Sequence, residues 1–251
     1  MRFRLADDVF AQATGEALAG LPHFSVTGGS VAVGGYSDPQ TREQQVGSTF
    51  GSLDWLWSGD DELRFRRGDG KLVGCLLQVP DHTAEVPAAC ERWTEVPTVE
   101  RGLCVDPAQD FGFPPTDVRW IAPNGQSLVC LRQPVPANPK SMVRLRVAQN
   151  LDLLFTEDGY AGWLLESPAG HLAESSEFPA EVDDGRELAR LFAEYFSIVS
   201  FPGIEKIQDE DPEARRELDE LERDLLSSRD QSPQMDALLR AVRELIDEWY
   251  S

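Results

Sequence analysis

Beyond residue 22, the apolar residues of this chain change their spacing once, near residue 180, and that change limits the folds the chain can adopt. Before it, short apolar runs alternate with polar residues and end at Gly, Pro or Asp-Gly, which is typical of strands and tight turns. After it, apolar residues such as Leu188, Leu191, Phe192 and Tyr195 follow the i, i+3, i+4 spacing of amphipathic helices. The sequence therefore predicts the α+β class.

Turn signals separate the predicted strands. Gly28-Gly29, Asp69-Gly70, Asn124-Gly125 and Asp158-Gly159 each divide two strand-like runs, as the turn of an antiparallel hairpin does. We expect a largely antiparallel sheet or a pair of sheets. The predicted strands are Arg2–Leu5, Phe24–Thr27, Ser30–Val33, Phe50–Trp57, Glu62–Arg67, Lys71–Val79, Val118–Ile121, Ser127–Arg132, Met142–Ala148, Leu151–Phe155 and Tyr160–Glu166.

Four helices are expected around this sheet region, one N-terminal and three C-terminal. The N-terminal helix spans Asp7–Ala19, with an acidic cap and a stop at Gly20. Asp183 or Asp184 caps the first C-terminal helix, which ends at Pro202-Gly203.

The last two helices form a predicted hairpin. They begin at Asp211-Pro212 and Ser232-Pro233, where a polar cap precedes a proline in the first turn. Only the residues Ser227–Ser232 connect them, which predicts an antiparallel pair. We therefore expect a strand-rich body over 1–203, with an acidic helical hairpin over 204–251 packed on it.

One internal similarity links two distant segments. Asp69–Pro80 and Asp158–Pro168 both contain Asp-Gly, a later Gly, Leu-Leu and a closing Pro. A duplicated module of roughly ninety residues would explain the match. Two hairpins that obey the same turn chemistry would explain it as well, and this second interpretation is the favoured one.

The charge of the chain is unevenly distributed. The net charge is −21, and residues 150–251 hold 26 acidic against 9 basic residues. Such a surface repels nucleic acid and anionic membranes but attracts basic proteins. Because the acidic excess is shared between 150–200 and 201–251, we expect a protein partner at the junction of sheet and helices. The candidate binding residues are Glu181, Asp183, Asp184, Asp209, Glu210 and Asp211.

An aromatic pair adds a second candidate surface. Trp55 and Trp57 lie on the same side of an extended segment, because strand side chains alternate. They could form a platform for a sugar or a peptide, although such a pair more often belongs to the core.

No motif in the sequence indicates a reaction. The chain has no nucleophile elbow, phosphate-binding loop or dinucleotide-binding glycine motif, so we expect no catalytic residue and no cofactor. The spacing of its histidines and cysteines fits no metal site, and each histidine is predicted at the surface. Cys75 and Cys130 are expected in the core, whereas Cys90 and Cys104 could pair or react.

The basic residues are interpreted as small islands on solvated strand faces. Arg64, Arg66, Arg67 and Lys71 form one island. Arg144 and Arg146 form another on a strand predicted to be half-exposed. Neither island is large enough to bind a polyanion.

Three functions remain open, and the first is favoured. The chain could be an acidic binding or inhibitory protein that engages a basic partner, as bacterial immunity proteins do; this analogy rests on charge and fold class alone. It could be an enzyme with a non-contiguous site, such as a small-molecule hydrolase or a peptide-modifying accessory enzyme. It could also be a subunit that docks through its helical hairpin.

The location of the protein is predicted from its apolar content. The first residues, Met1–Asp8, become acidic before an apolar stretch develops, which is unlike a secretory signal. No run of about 18 apolar residues is present to cross a membrane. These patterns favour the cytoplasm.

Overall fold

The computed structural model describes residues 1–34, 47–52, 61–106, 108–135, 139–173, 185–228 and 232–250. These residues form three β-sheets and five α-helices, which confirms the predicted α+β class. The strands are β1 (Arg2–Ala6), β2 (Val9–Thr14), β3 (His23–Ser25), β4 (Ser30–Gly34), β5 (Thr49–Gly51), β6 (Glu62–Arg66), β7 (Leu72–Gln78), β8 (His82–Thr83), β9 (Thr98–Glu100), β10 (Gly102–Val105), β11 (Val118–Ile121), β12 (Ser127–Leu131), β13 (Met142–Ala148), β14 (Leu151–Thr156) and β15 (Gly159–Glu166). The helices are α1 (Pro87–Glu95), α2 (Arg186–Ile198), α3 (Gly203–Gln208), α4 (Pro212–Ser227) and α5 (Pro233–Trp249), and a 3-10 turn spans Pro168–His171.

The predicted N-terminal helix over Asp7–Ala19 is wrong. Its residues form a turn and then β2, which pairs with β1 on one side and β10 on the other. Val9 and Ala11 are buried while Phe10 between them is exposed, so the apolar residues alternate as in a strand. Pairing on both sides outweighs the helix propensity of the alanines, which is only a weak preference.

The two larger sheets share one topology. The five-stranded sheet has the order β3-β4-β7-β6-β5, and the central strands of the seven-stranded sheet follow β11-β12-β15-β14-β13. In each, a hairpin precedes a three-stranded meander, and the last strand of the meander pairs antiparallel with the second strand of the hairpin. Strands β8 and β9 add a parallel neighbour at each edge of the larger sheet.

The two sheets also match in register. A bulge precedes Phe65 in β6 at the level of Gly74 in β7, and another precedes Phe155 in β14 at the level of Gly162 in β15. A bulge in the same place of two sheets is a specific feature that hairpin turns alone do not produce. The match between the two Asp-Gly segments thus extends over five strands in each sheet. This supports the duplicated module over the two independent hairpins that the sequence favoured.

A second, smaller core lies under helix α1 on one face of the seven-stranded sheet. It contains Cys90 and Trp93 of the helix together with Leu154 and Leu164 of the sheet. The main core includes all three sheets and the apolar stripes of α2, α4 and α5. Helix α1 was not predicted from the sequence, which marked these residues only as a less regular stretch.

The C-terminal hairpin confirms the predicted antiparallel pair. The hydroxyl of Tyr250, after α5, donates to the Asp211 carbonyl before α4. The Asp211 carboxylate and the Ser232 hydroxyl each accept backbone N–H groups at the start of their helices. The predicted count of three C-terminal helices is wrong, because a fourth, the short helix α3, lies between α2 and α4. None of the helices in the described residues is long and apolar enough to cross a membrane.

Candidate functional site

Two cavities flank the C-terminal end of α2, where the sheets meet the last helices. We call the first the arginine cleft; it has a volume of about 550 Å³. It lies between the β3–β4 turn, the ends of β7 and β11, and helices α2, α3 and α5. The residues that define it are Gly28, Val79, Arg119, Tyr195, Phe196 and Leu245.

Among the described residues, Arg119 is the only arginine that lines this cleft, and it reaches the cleft from β11. Its side chain is 5% exposed, and its guanidinium lies 4.7 Å from the centre of the Phe196 ring. Its Nη2 donates to the Val199 carbonyl at 3.3 Å and to the Ser200 hydroxyl at 3.1 Å. Its Nε is buried and has no acceptor among the residues that the structure describes. The arginine thus holds the end of α2 while part of its hydrogen-bonding capacity stays unused.

The base and the mouth of the arginine cleft differ in charge. At its base, burial lowers the pKa of Arg119, which still stays charged because guanidinium is so strong a base. Burial also raises the pKa of the neighbouring Tyr195 hydroxyl, which therefore stays neutral. The cleft is also lined by three acidic residues on exposed positions, Asp81, Glu244 and Glu248. A buried cation thus lies beneath a negatively charged mouth.

The second cavity, which we call the acidic groove, has a volume of about 420 Å³. It runs between the end of α2 and helix α4. The acidic residues Glu194, Glu217 and Glu220 line it, and Lys206 is the one basic residue in its described lining. Phe201 lies in its wall and is 46% exposed. An exposed aromatic ring among carboxylates can bind both the apolar stem and the charged end of a long basic side chain.

The carboxylates at these cavities differ from the others of the helical hairpin in their pairing. Elsewhere on the hairpin, Asp219 pairs with Arg215, Glu222 with Arg243 and Asp224 with Arg190. Within the described residues, five carboxylates that border the cavities form no ion pair. They are Asp81, Glu217, Glu220, Glu244 and Glu248.

The acidic run predicted as a binding site lies beside these cavities, in the turn between α3 and α4. Asp209 and Glu210 are exposed there. Asp211 instead caps α4, and hydrogen bonds from the Ala214 and Glu213 backbone lower its pKa. This carboxylate therefore stabilises the start of α4, and its role in binding stays a prediction. The other predicted residues lie outside the described ranges; they are Trp55, Trp57, Glu181, Asp183 and Asp184.

Sequence reasoning missed the residues that line the two cavities. Arg119 is a single charged residue between Val118 and Trp120 in a short strand, and that isolation is the one signal that could have marked it. The free glutamates of α4 and α5 lie one helical turn apart, at 217 and 220 and at 244 and 248. Such spacing marks one helix face, but not which face borders a cavity.

The interpretation of the basic islands as solvated is wrong for two of their arginines. Arg66 and Arg67 are exposed as expected, but Arg64 is buried and donates to Thr49 Oγ1 at 3.0 Å. Arg144 is 3% exposed and pairs with the fully buried Asp152. Both buried arginines have a buried carboxylate beside them, which for Arg64 is Glu62 of the same strand at 3.5 Å and for Arg144 is Asp152 of the neighbouring strand.

The histidines and cysteines differ in their exposure to solvent. His82 is exposed as predicted, whereas His23 and His171 are buried, which corrects that prediction. Burial raises the pKa of the Cys90 thiol to about 12, so its nucleophilic thiolate scarcely forms at neutral pH. Cys104 is a free thiol that is partly exposed.

His171 gives the protein a predicted dependence on acid pH. Burial lowers its pKa from 6.5 to about 4, against the opposing hydrogen bonds of its ring. The unfolded chain thus binds a proton that the folded chain does not, so stability is lost as pH falls below 6.5. Between pH 7 and pH 5 we expect a loss of about 2 kcal/mol from this group.

Urea unfolding at both pH values measures this loss. The control is His171→Gln, which has no titrating ring and should show a correspondingly smaller loss over the same interval. An equal pH dependence in both proteins would contradict the assignment.

No three His, Cys, Asp or Glu side chains in the described ranges are arranged to hold a metal ion. The side chains that line the two cavities can make ionic and apolar contacts. Comparison with models of known protein families, with curated proteins and with solved structures finds no match to this chain.

Proposed function

We propose that this chain is a binding protein whose acidic groove and its surroundings engage a basic protein partner. The observation that carries the proposal is the set of carboxylates without an ion-pair partner around the two cavities, described above. Carboxylates left unpaired by their own chain can pair with a partner's arginines and lysines without first breaking internal contacts. Their field also accelerates the encounter with a basic protein.

The groove offers the apolar contact that binding energy requires. Charges at an interface rim contribute mostly to association rate and specificity, whereas buried aromatic contacts contribute most of the affinity. Phe201, at 46% exposure, is the exposed aromatic residue within the acidic groove. We therefore place the centre of the interface at Phe201 and its charged rim at Glu217 and Glu220.

An enzymatic function would have been favoured by a cavity lined by a histidine or cysteine with a carboxylate. Carboxylates line both the arginine cleft and the acidic groove, but neither cavity is lined by His82, His171, Cys90 or Cys104. This leaves the enzyme as an alternative without a specific observation in its favour.

Docking of another subunit through the apolar stripe of the hairpin is also less favoured. The stripe residues Leu218, Leu221, Leu238 and Val242 are already fully buried within the chain. An assembly would have to use a different surface from the one that the sequence suggested.

We predict that the variant Glu217→Gln/Glu220→Gln weakens binding of the basic partner about 3- to 10-fold, mostly through a slower association rate. The matched control is Glu91→Gln/Glu95→Gln, which removes two exposed glutamates from α1, on the other side of the seven-stranded sheet. The partner is first isolated from the native host by affinity capture, and then its association and dissociation rates are measured with each variant.

Salt tests the electrostatic part of the proposal. Between about 0.1 M and about 1 M salt the screening length falls from about 10 to about 3 Å, so the difference between the variant and the wild type should disappear. A captured partner that is acidic, or one that binds the two variants equally well at low salt, would contradict the proposal.

A further inference from the structure

The arginine cleft supports a second binding site that does not depend on the basic partner. Arg119 is a permanent cation and nearly fully buried. Within the described residues no carboxylate lies within 4.0 Å of its guanidinium, and both of its acceptors are neutral. Burying an ion is costly unless a counter-ion offsets it. The missing counter-ion is the first sign of a ligand.

The geometry of Arg119 leaves room for an anion. Only Nη2 has acceptors in the described part of the chain, and the buried Nε has none. Nη1 makes no hydrogen bond in these residues, and because Arg119 lines a cavity of about 550 Å³, this nitrogen can donate to an incoming carboxylate. This volume is within the usual range for small-molecule sites. The parallel N–H pair that a guanidinium offers a carboxylate includes Nη2, so a two-point contact requires the ligand to replace the Val199 carbonyl or the Ser200 hydroxyl as an acceptor.

The mouth of the cleft restricts the charge of that anion. Asp81, Glu244 and Glu248 form no ion pair in the described residues and would repel phosphates and other polyanions. They would instead attract a ligand whose second group is a cation. Between mouth and base, apolar side chains such as Val79 and Leu245 can hold an aliphatic segment.

We propose that the arginine cleft binds a small zwitterion, an organic carboxylate that also carries a protonated amine or guanidinium. The carboxylate pairs with Arg119, and the cation lies against the acidic mouth. A free basic amino acid and a basic residue at the C-terminus of a peptide both have this chemistry.

A ligand series on the unmodified protein tests the charge requirement by calorimetry. L-arginine is the zwitterionic probe, agmatine lacks its carboxylate, and pentanoate lacks its cation. Because charge-assisted hydrogen bonds at a buried group are strong, agmatine should bind at least about 10-fold more weakly than L-arginine. Equal binding of the two, or no binding of any zwitterion tested, would overturn the proposal.

The peptide Ala-Ala-Arg, with a free or an amidated C-terminus, separates the two sources of the ligand. Tighter binding of the free tripeptide than of L-arginine indicates a peptide terminus, and the reverse order indicates a free amino acid. Either result supports the zwitterion site, whereas equal binding of the free and amidated tripeptides together with weak L-arginine binding would overturn it.

Variants locate the site and separate it from the proposed function. Glu244→Gln/Glu248→Gln should weaken L-arginine about 3- to 10-fold, whereas Glu217→Gln/Glu220→Gln in the acidic groove should leave it unchanged. Arg119→Lys keeps the positive charge but loses the several N–H donors of the planar guanidinium, so it should abolish most of the L-arginine binding. Circular dichroism reports whether this variant retains the fold. If both glutamate pairs change L-arginine binding equally, the ligand does not occupy the arginine cleft.

Discussion

Asp152→Ala should lower the free energy of unfolding by about 3–5 kcal/mol, because it leaves a buried arginine without its main counter-ion. Asp152 has no exposed surface and lies on β14. Arg144 and Arg146 of the neighbouring β13 both pair with it, the latter at 2.9 Å. Glu166 of β15 pairs with the same two arginines and completes a network of two cations and two anions.

The predicted loss of stability is large because the groups that remain after the substitution, Glu166 and Arg144, differ in their exposure to solvent. Glu166 remains after the substitution, but its side chain is 36% exposed and partly solvated. Arg144, at 3% exposure, cannot recover water in exchange for the lost carboxylate. Its charge would then be offset by one partly solvated carboxylate instead of two partners.

Urea unfolding at neutral pH measures the change, with Asp219→Ala as the matched control. Asp219 pairs with Arg215 at the surface of α4, so its loss should change the free energy of unfolding by less than about 1 kcal/mol. The double variant Arg144→Leu/Asp152→Leu should be less destabilised than Asp152→Ala, because it removes both buried charges. A double variant as unstable as the single one would contradict this account.

The same network shows why charged strand residues were misjudged from the sequence. Arg144 and Arg146 alternate with apolar residues, a pattern that usually marks a solvated strand face. Their partner Asp152 lies in the next strand. Whether the face of the sheet that carries these residues is covered depends on residues far away in the sequence. A pattern within one strand reports which residues share a face, but not whether that face is buried.

Local signals did predict the parts of the fold that depend on neighbouring residues. The turns at Asp69-Gly70 and Asp158-Gly159 set the positions of the β6–β7 and β14–β15 hairpins. The cap and proline at Asp211-Pro212 likewise marked the start of α4. The segment Asp7–Ala19 had similar local helix signals, but its strand partner β10 is about ninety residues away in the sequence, so no local pattern revealed it.

The candidate site was predicted by region rather than by residue. The charge distribution placed it at the junction of sheet and helices, and the two cavities lie there. The acidic runs drew attention to Asp211, whose carboxylate is used as a cap. The glutamates around the cavities come from different helices, and they converge with Arg119 only once the helices fold onto the sheets.

Trp163→Ala should also destabilise the protein by about 3–5 kcal/mol, since it leaves a large cavity in the main core. Trp163 is fully buried on β15, where it pairs with Cys130 on one side and Leu153 on the other. In the other sheet the corresponding position, which also follows the glycine at the bulge, is Cys75. At this position the seven-stranded sheet thus has a large indole, whereas the five-stranded sheet has only a thiol.

The control Trp163→Phe separates volume from hydrogen bonding. The indole Nε1 is buried and has no acceptor in the described part of the chain, so phenylalanine removes an unsatisfied donor along with part of the ring. We therefore expect Trp163→Phe to cost only about 1–2 kcal/mol, because the relief of that donor offsets part of the lost packing. Guanidinium chloride unfolding measures both variants, and an unchanged denaturant slope shows that the unfolded states are comparable. If Trp163→Phe were as unstable as Trp163→Ala, the indole N–H would have a hydrogen-bond partner in the core. That hydrogen bond, and not the volume of the side chain, would then be the main contribution of Trp163 to stability.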